Sequence, residues 1–288
     1  MDHYHGKIII FGEYTVIDNG CALALPLKSV YGSLNIGIEN DLTSNMSILR
    51  FCQYLERLVL PHNVTLNIHQ LKDDINKGLY LDTNARAGYG IGSSGILTAA
   101  IFLQYYNGMK LLSINELKEI LASMESFFHG NSSGIDPLVS LINSPVRTSN
   151  DHIAIIDHIP ETIMKNFYLL DTGISRTTQL LVEWYKNSFN KPAFKKAMKA
   201  YSETINPIID DLLSGQIHPF EENLKAISSF QLKWWKPLIP KAFLEMWTEG
   251  LEKDNYYTKI CGAGGGGYLL VYKKDCLPDL NYDISTIV

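Results

Sequence analysis

The chain has 288 residues, 46% hydrophobic and 19% charged. That length fits about two domains of roughly 150 residues, and the composition can bury a sizeable core, which excludes a disordered chain. Lys plus Arg number 25 against 30 Asp plus Glu, a net charge of −5; the balance argues against a general nucleic-acid partner but allows a local basic pocket.

The four cysteines, Cys21, Cys52, Cys261 and Cys276, are far apart and form no C-x-x-C pair. Neither a disulfide framework nor a zinc cluster is expected, and a reducing cytoplasm fits. The N-terminal residues lack the apolar stretch of a signal peptide. The longest apolar run, Ile96 to Leu103, is far too short for a membrane span. The expectation is a soluble, cytoplasmic α/β protein with no membrane partner.

In chain order, Lys7 to Phe11 reads as a short isoleucine-rich strand running into Gly12-Glu13-Tyr14. Ser29 to Ile38 is a second β-rich stretch. Met46 to Val59 spaces Leu49, Cys52, Leu55 and Val59 as a helix does. Val64 to Ile68 reads as a strand, followed by a polar loop. The apolar run after Gly95 reads as a buried helix stopped by Asn107-Gly108. Ser113 and Glu116 form a capping box that opens a helix with Leu117, Ile120, Leu121, Met124 and Phe128 on one face. Asn143 to Asp151, with Pro145, marks a domain boundary. Strands are expected at Ile153–Ile156 and Phe167–Leu170, then helices at Thr177–Asn187, Pro192–Leu213 and Phe220–Trp234. Two final strands, Tyr256–Cys261 and Tyr268–Tyr272, flank six residues of which five are glycine.

Three stretches invite chemistry. Gly88 to Gly95 is glycine-rich and opens a helix, so its amides and the helix N-terminus suit an anion; a tight turn with a serine cap is the plainer reading. Gly90 to Gly95 formally matches the dinucleotide G-x-G-x-x-G, but no buried strand directly precedes it, and no Gly-Lys-Ser/Thr makes it a Walker A loop. Glu125 lies at the edge of an apolar helix face, where a cation site competes with a solvated helix edge. Asp136 follows a Gly-Ser-rich loop and precedes Pro137, as a cap or turn residue often does, and His129 reads first as a structural histidine. Asp171-Thr172-Gly173 has no second such triplet, which excludes an aspartic protease. The run Gly262 to Gly267 is costly in chain entropy. Close approach to a ligand or to another backbone would justify it.

Together the motifs resemble the GHMP kinase superfamily, across nearly the whole chain and at three separated places. Glu125-x-x-x-His129-Gly130-Asn131-x-Ser133-Gly134-Ile135-Asp136 is similar to a stretch of the mevalonate kinases, with Ser132 where proline is usual. Lys259-x-x-Gly262-Ala263-Gly264-Gly265-Gly266-Gly267 and Asp171-Thr172-x-x-x-Arg176-x-Thr178 are similar to two further segments. Gly12-Glu13-Tyr14 and Tyr89 to Gly95 look more like the phosphomevalonate kinase versions, and Arg86 and Ala87 replace prolines usual there.

The resemblance implies an α/β (α+β) fold of two domains, residues 1–145 like ribosomal protein S5 domain 2 and residues 146–288 ferredoxin-like. It implies ATP and Mg²⁺ as cofactors and phosphorylation of the primary hydroxyl of mevalonate in isoprenoid biosynthesis. Phosphomevalonate or another acceptor, and a non-catalytic binding protein on the same scaffold, remain as alternatives. Asp136 would accept or orient the hydroxyl proton, with Lys7 paired to it. Gly88, Gly90, Gly92, Ser93, Ser94, Gly264 and Gly265 would serve the nucleotide. Ser94 and Glu125 would bind Mg²⁺, and Glu13, Arg176 and Thr178 would face the substrate. The partner is a small molecule, with homodimerisation open.

Overall fold

In the computed structural model of the protein, residues 3–15, 20–37, 42–149, 152–176, 178–278 and 282–287 are described. The chain forms two compact units that are interleaved rather than consecutive. The first comprises Met1–Lys7, Pro26–Arg86 and Ile91–Ser144; the second comprises Ile8–Leu25, Ala87–Gly90 and Pro145–Val288. Two strands, β1 (Tyr4–Phe11) and β2 (Ala22–Ile36), run through both.

The first unit contains α1 (Leu42–Arg57), α2 (Ile68–Asn76), β3 (Leu79–Thr83), α3 (Ser93–Tyr105), α4 (Ile114–His129) and α5 (Ile135–Ile142). The end of β2 pairs antiparallel with β3, Gly32 opposite Thr83 and Ile36 opposite Leu79. Helix α3 is apolar around most of its circumference, so it is buried around most of it, with Ile96, Ala99, Ala100 and Ile101 inaccessible. It packs against α4 and α5. Helix α4 opens on the expected capping box, each of Ser113 and Glu116 bonding the other's backbone N–H, and buries Ile120, Leu121 and Met124.

One expectation fails here. Val64 to Ile68 is not a strand: Leu66 makes a single bridge to Tyr106, and α2 begins at Ile68. The cause is Asn67, whose side chain accepts the Gln70 N–H and caps a helix that buries Leu71 and Ile75. The polar loop expected next is instead α2 and β3. Charge in α2 is satisfied locally: buried Asp74 accepts from Gln70, Lys77 and Tyr105.

The second unit contains β4 (Val146–Ser149), β5 (His152–Ile155), α6 (Glu161–Met164), β6 (Phe167–Asp171), α7 (Thr178–Phe189), α8 (Pro192–Ser214), α9 (Ile217–Trp234), α10 (Leu244–Lys253), β7 (Tyr256–Ile260), β8 (Tyr268–Lys273) and β9 (Ile284–Thr286). Ala22 in β2 pairs with Thr148 in β4. The strand order among the described residues is β1-β2-β4-β5 with β3 also on β2, and separately β7-β8-β6-β9. The second sheet is antiparallel throughout. Helices α8 and α9 pack on each other and bury Tyr201, Ile205, Ile208, Phe220, Leu224 and Ile227.

Candidate active site

The site residues fall into two groups, one in each unit. In the first unit, β1 ends its share of the chain at Lys7. The Lys7 N–H donates to Ile91 O at 2.9 Å, fixing the strand against the start of α3. Its side chain is 6% exposed, and Nζ lies 3.1 Å from Asp136 Oδ2. Asp136 sits in the first turn of α5, behind the left-handed N-cap Gly134, where a negative charge is favoured by the helix dipole. Gly95 makes this arrangement possible: a Cβ there would lie 2.9 Å from the Asp136 carbonyl carbon, so only glycine lets α3 meet α5 this closely.

Glu125 projects from α4 into the same group and is 2% exposed. Ser94, at the start of α3, donates to Glu125 Oε1 at 3.0 Å, and Ser132 donates to Oε2 at 2.5 Å. Burial pushes the Glu125 carboxyl up to about 7, and the neighbouring charge of Asp136 adds to the effect. Two carboxylates and two hydroxyls therefore gather hard oxygen donors around a place where negative charge is costly. That donor set suits Mg²⁺, which takes one or two protein oxygens and completes its shell with water and phosphate. Among the described residues, no three of His, Cys, Asp or Glu cluster as a closed metal site would need.

In the second unit, residues 87–90, 174–176 and 261–267 interlock. Arg176 Nη1 donates to Cys261 O at 3.1 Å and to Gly264 O at 2.7 Å, and the Arg176 N–H donates to Gly88 O. A Cβ on Gly90 would lie 1.7 Å from Arg176 Nη2. The glycine run after β7 owes its composition to similar crowding. A Cβ on Gly266 would meet Ile174 O at 2.4 Å, and one on Gly267 would meet Tyr89 O at 2.4 Å; both residues also have positive φ. Gly264 abuts Leu238 O, and the Gly265 N–H donates to that oxygen. Of the two causes weighed for this run, approach to the protein's own backbone is the one the structure displays.

Behind this loop, Glu13 is 1% exposed and forms an ion pair with Lys259, which also donates to Ile260 O at 2.9 Å. Tyr201 donates to Glu13, Gln231 donates to Tyr201, and Gln231 Oε1 accepts the Ile260 N–H. Burial raises the Glu13 carboxyl above its usual range, and the Lys259 charge opposes that. Tyr14, at φ 65°, stacks on Tyr185 and donates to Ala263 O at 2.8 Å.

The structure thus brings Lys7, Gly92, Ser93, Ser94, Glu125 and Asp136 into one unit, and Glu13, Gly88, Gly90, Arg176, Gly264 and Gly265 into the other. Of the residues expected to face a substrate, Glu13 is enclosed with Lys259, and Arg176 Nη1 bonds the carbonyls of Cys261 and Gly264. The side chains of Thr178 and His129 lie outside the described residues. Sequence reasoning missed Ser132, which binds Glu125 and accepts the Gly134 N–H. It also missed Tyr201 and Gln231, which stand in unremarkable helices and carry no local signal. Lys259 was visible within its motif, but its partner was not.

No protein-family model matches the sequence, and no curated protein is similar to it in sequence. Solved structures are similar in fold. L. major mevalonate kinase in complex with R-mevalonate aligns with a TM-score of 0.63 at 18% identity, covering 95% of this chain and 86% of that one. Methanococcus jannaschii mevalonate kinase aligns at 0.65 and 16%, covering 99% and 96%. Streptococcus pneumoniae phosphomevalonate kinase with phosphomevalonate and AMPPNP aligns at 0.65 and 14%, covering 96% and 92%. The chain has the two-domain α/β fold of the GHMP kinases, as the motif order implied.

Proposed function

We propose that the protein is an ATP-dependent small-molecule kinase whose acceptor is the primary hydroxyl of mevalonate, acting in isoprenoid biosynthesis. The observation that carries this reading is the Lys7–Asp136 ion pair in the same group as the Ser94–Glu125 hydrogen bond. An acid, a base and oxygen donors for a cation are what phosphoryl transfer asks of a protein, because the reaction depends on positioning and charge stabilisation.

In the proposed reaction the acceptor oxygen attacks the γ-phosphorus, the bond from that phosphorus to the bridging oxygen breaks, and ADP leaves. The hydroxyl proton passes to Asp136 Oδ, or Asp136 orients the alcohol while the proton leaves later. Lys7 holds Asp136 in place and places positive charge beside the transferring group. Gly92, Ser93 and Ser94 present the N-terminus of α3, which favours phosphate. Ser94 and Glu125 would hold Mg²⁺, which when bound neutralises phosphate charge. The fold likeness to proteins solved with R-mevalonate and with phosphomevalonate plus AMPPNP supports both the nucleotide and the acceptor class.

Phosphomevalonate is the second reading, favoured by Tyr14 in Gly12-Glu13-Tyr14. ADP release measured with Mg²⁺-ATP against mevalonate, phosphomevalonate, galactose and homoserine decides between them. Release with mevalonate alone supports the first reading, and release with phosphomevalonate alone supports the second. Nucleotide binding without turnover on any acceptor would return the protein to a non-catalytic role.

A further inference from the structure

We infer that Arg176 is a positioning residue that clamps the glycine loop at 88–90 to the glycine loop at 261–264, and so shapes the nucleotide side of the site rather than binding the acceptor. Three observations within the second unit converge on this. The guanidinium spends hydrogen bonds on two carbonyls of one loop, Cys261 O and Gly264 O. Nη2 packs against the other loop, 1.7 Å from where a Gly90 Cβ would be. The backbone on the same segment reinforces the contact: Arg176 N–H bonds Gly88 O, and a Cβ on Gly88 would meet Ser175 Oγ at 2.2 Å.

The chemistry suits the task. A guanidinium is a planar fork of donors, so Nη1 can bond one loop while Nη2 packs against a backbone that has no side chain. Gly90 with φ 69° supplies that bare backbone. A lysine Nζ has donors enough for both carbonyls but no second nitrogen to pack against Gly90 as Nη2 does. Gly88, Gly90 and Gly264, which the kinase reading assigns to the nucleotide, all belong to the two loops so joined.

The kinetic part of the test rests on the kinase reading; the structural part does not. For Arg176→Ala, which removes the clamp, binding of a fluorescent ATP analogue with Mg²⁺ should weaken by about tenfold, while the acceptor KM stays near wild type. A raised acceptor KM with unchanged nucleotide affinity would overturn the inference and make Arg176 an acceptor ligand. The second measurement is a thermal-unfolding cycle of Gly90→Ala and Arg176→Ala. In the wild-type background Gly90→Ala should lower the Tm by several degrees. In the Arg176→Ala background it should lower it by less than half as much, leaving only the strain of alanine at positive φ. Additive Tm shifts would refute the clamp. If the wild-type protein binds no nucleotide, the kinase reading fails and the cycle alone decides the clamp.

Discussion

At the scale of single residues, the proposed chemistry would rest on Asp136 and Glu125, two carboxylates in different surroundings. Asp136 is partly exposed and ion-paired with Lys7, as a proton acceptor for an incoming alcohol should be. Asp136→Asn is expected to lower kcat by about 10² or more, the scale of lost general-base assistance, while the protein still folds; steady-state ADP release and a melting curve check both halves. Glu125 is buried, and burial together with Asp136 raises its carboxyl from an ordinary 4.5 to about 7. The native state therefore keeps this proton between pH 4.5 and 7 while the unfolded chain has lost it. Stability of the free protein should fall as pH rises through that window, by about 3 kcal/mol in all at about 1.4 kcal/mol per pKa unit, and then level off. In Glu125→Gln the fall should vanish, so the difference between the two urea-unfolding curves isolates it. Mg²⁺ added at pH 6 should release a proton from the wild type and not from the variant.

At the scale of elements, the strands and helices are placed by a few buried polar contacts. The Glu13–Lys259 pair joins the segment just after β1 to β7, with both side chains out of water. Glu13→Ala would leave Lys259 buried without its carboxylate and should cost about 3–5 kcal/mol. Glu13→Leu combined with Lys259→Met should recover much of that loss, because two apolar groups need no partner. Denaturant unfolding of the single and double variants tests the pair. This contact also marks where the sequence stopped being readable. The capping box of α4 involves residues three apart and was legible, as was the order of the glycine motifs that pointed to Ser94, Glu125 and Asp136. Glu13 and Lys259 are 246 residues apart, and nothing local tells either side chain what it will meet. Val64 to Ile68 failed for a different reason: its alternating apolar residues imitate a strand, while Asn67 between them was a helix cap in plain view. The charge of Arg176 is legible in the sequence, but the approach of its Nη2 to Gly90 depends on where the backbone lies.

At the scale of the whole molecule, the chain does not complete one unit before entering the other. The chain passes between units after Lys7, Leu25, Arg86, Gly90 and Ser144. A fragment of residues 1–145 would contain Ile8–Leu25 and Ala87–Gly90 without the rest of their unit, and is expected to show weaker protease resistance than the same residues in the full chain. Synthesis imposes an order in time on this arrangement. Glu13 is made among the first residues, and Lys259 follows 246 positions later, which at about 5–20 residues per second is a delay of about 12–50 s. Throughout that interval the carboxylate lacks Lys259, so its unit is expected to close only after Lys259 has emerged. Ribosome-held chains stalled before residue 259 should be cut readily within 8–25, and chains released beyond it should resist. The last strands to leave the ribosome complete a structure whose first strand has been waiting for them.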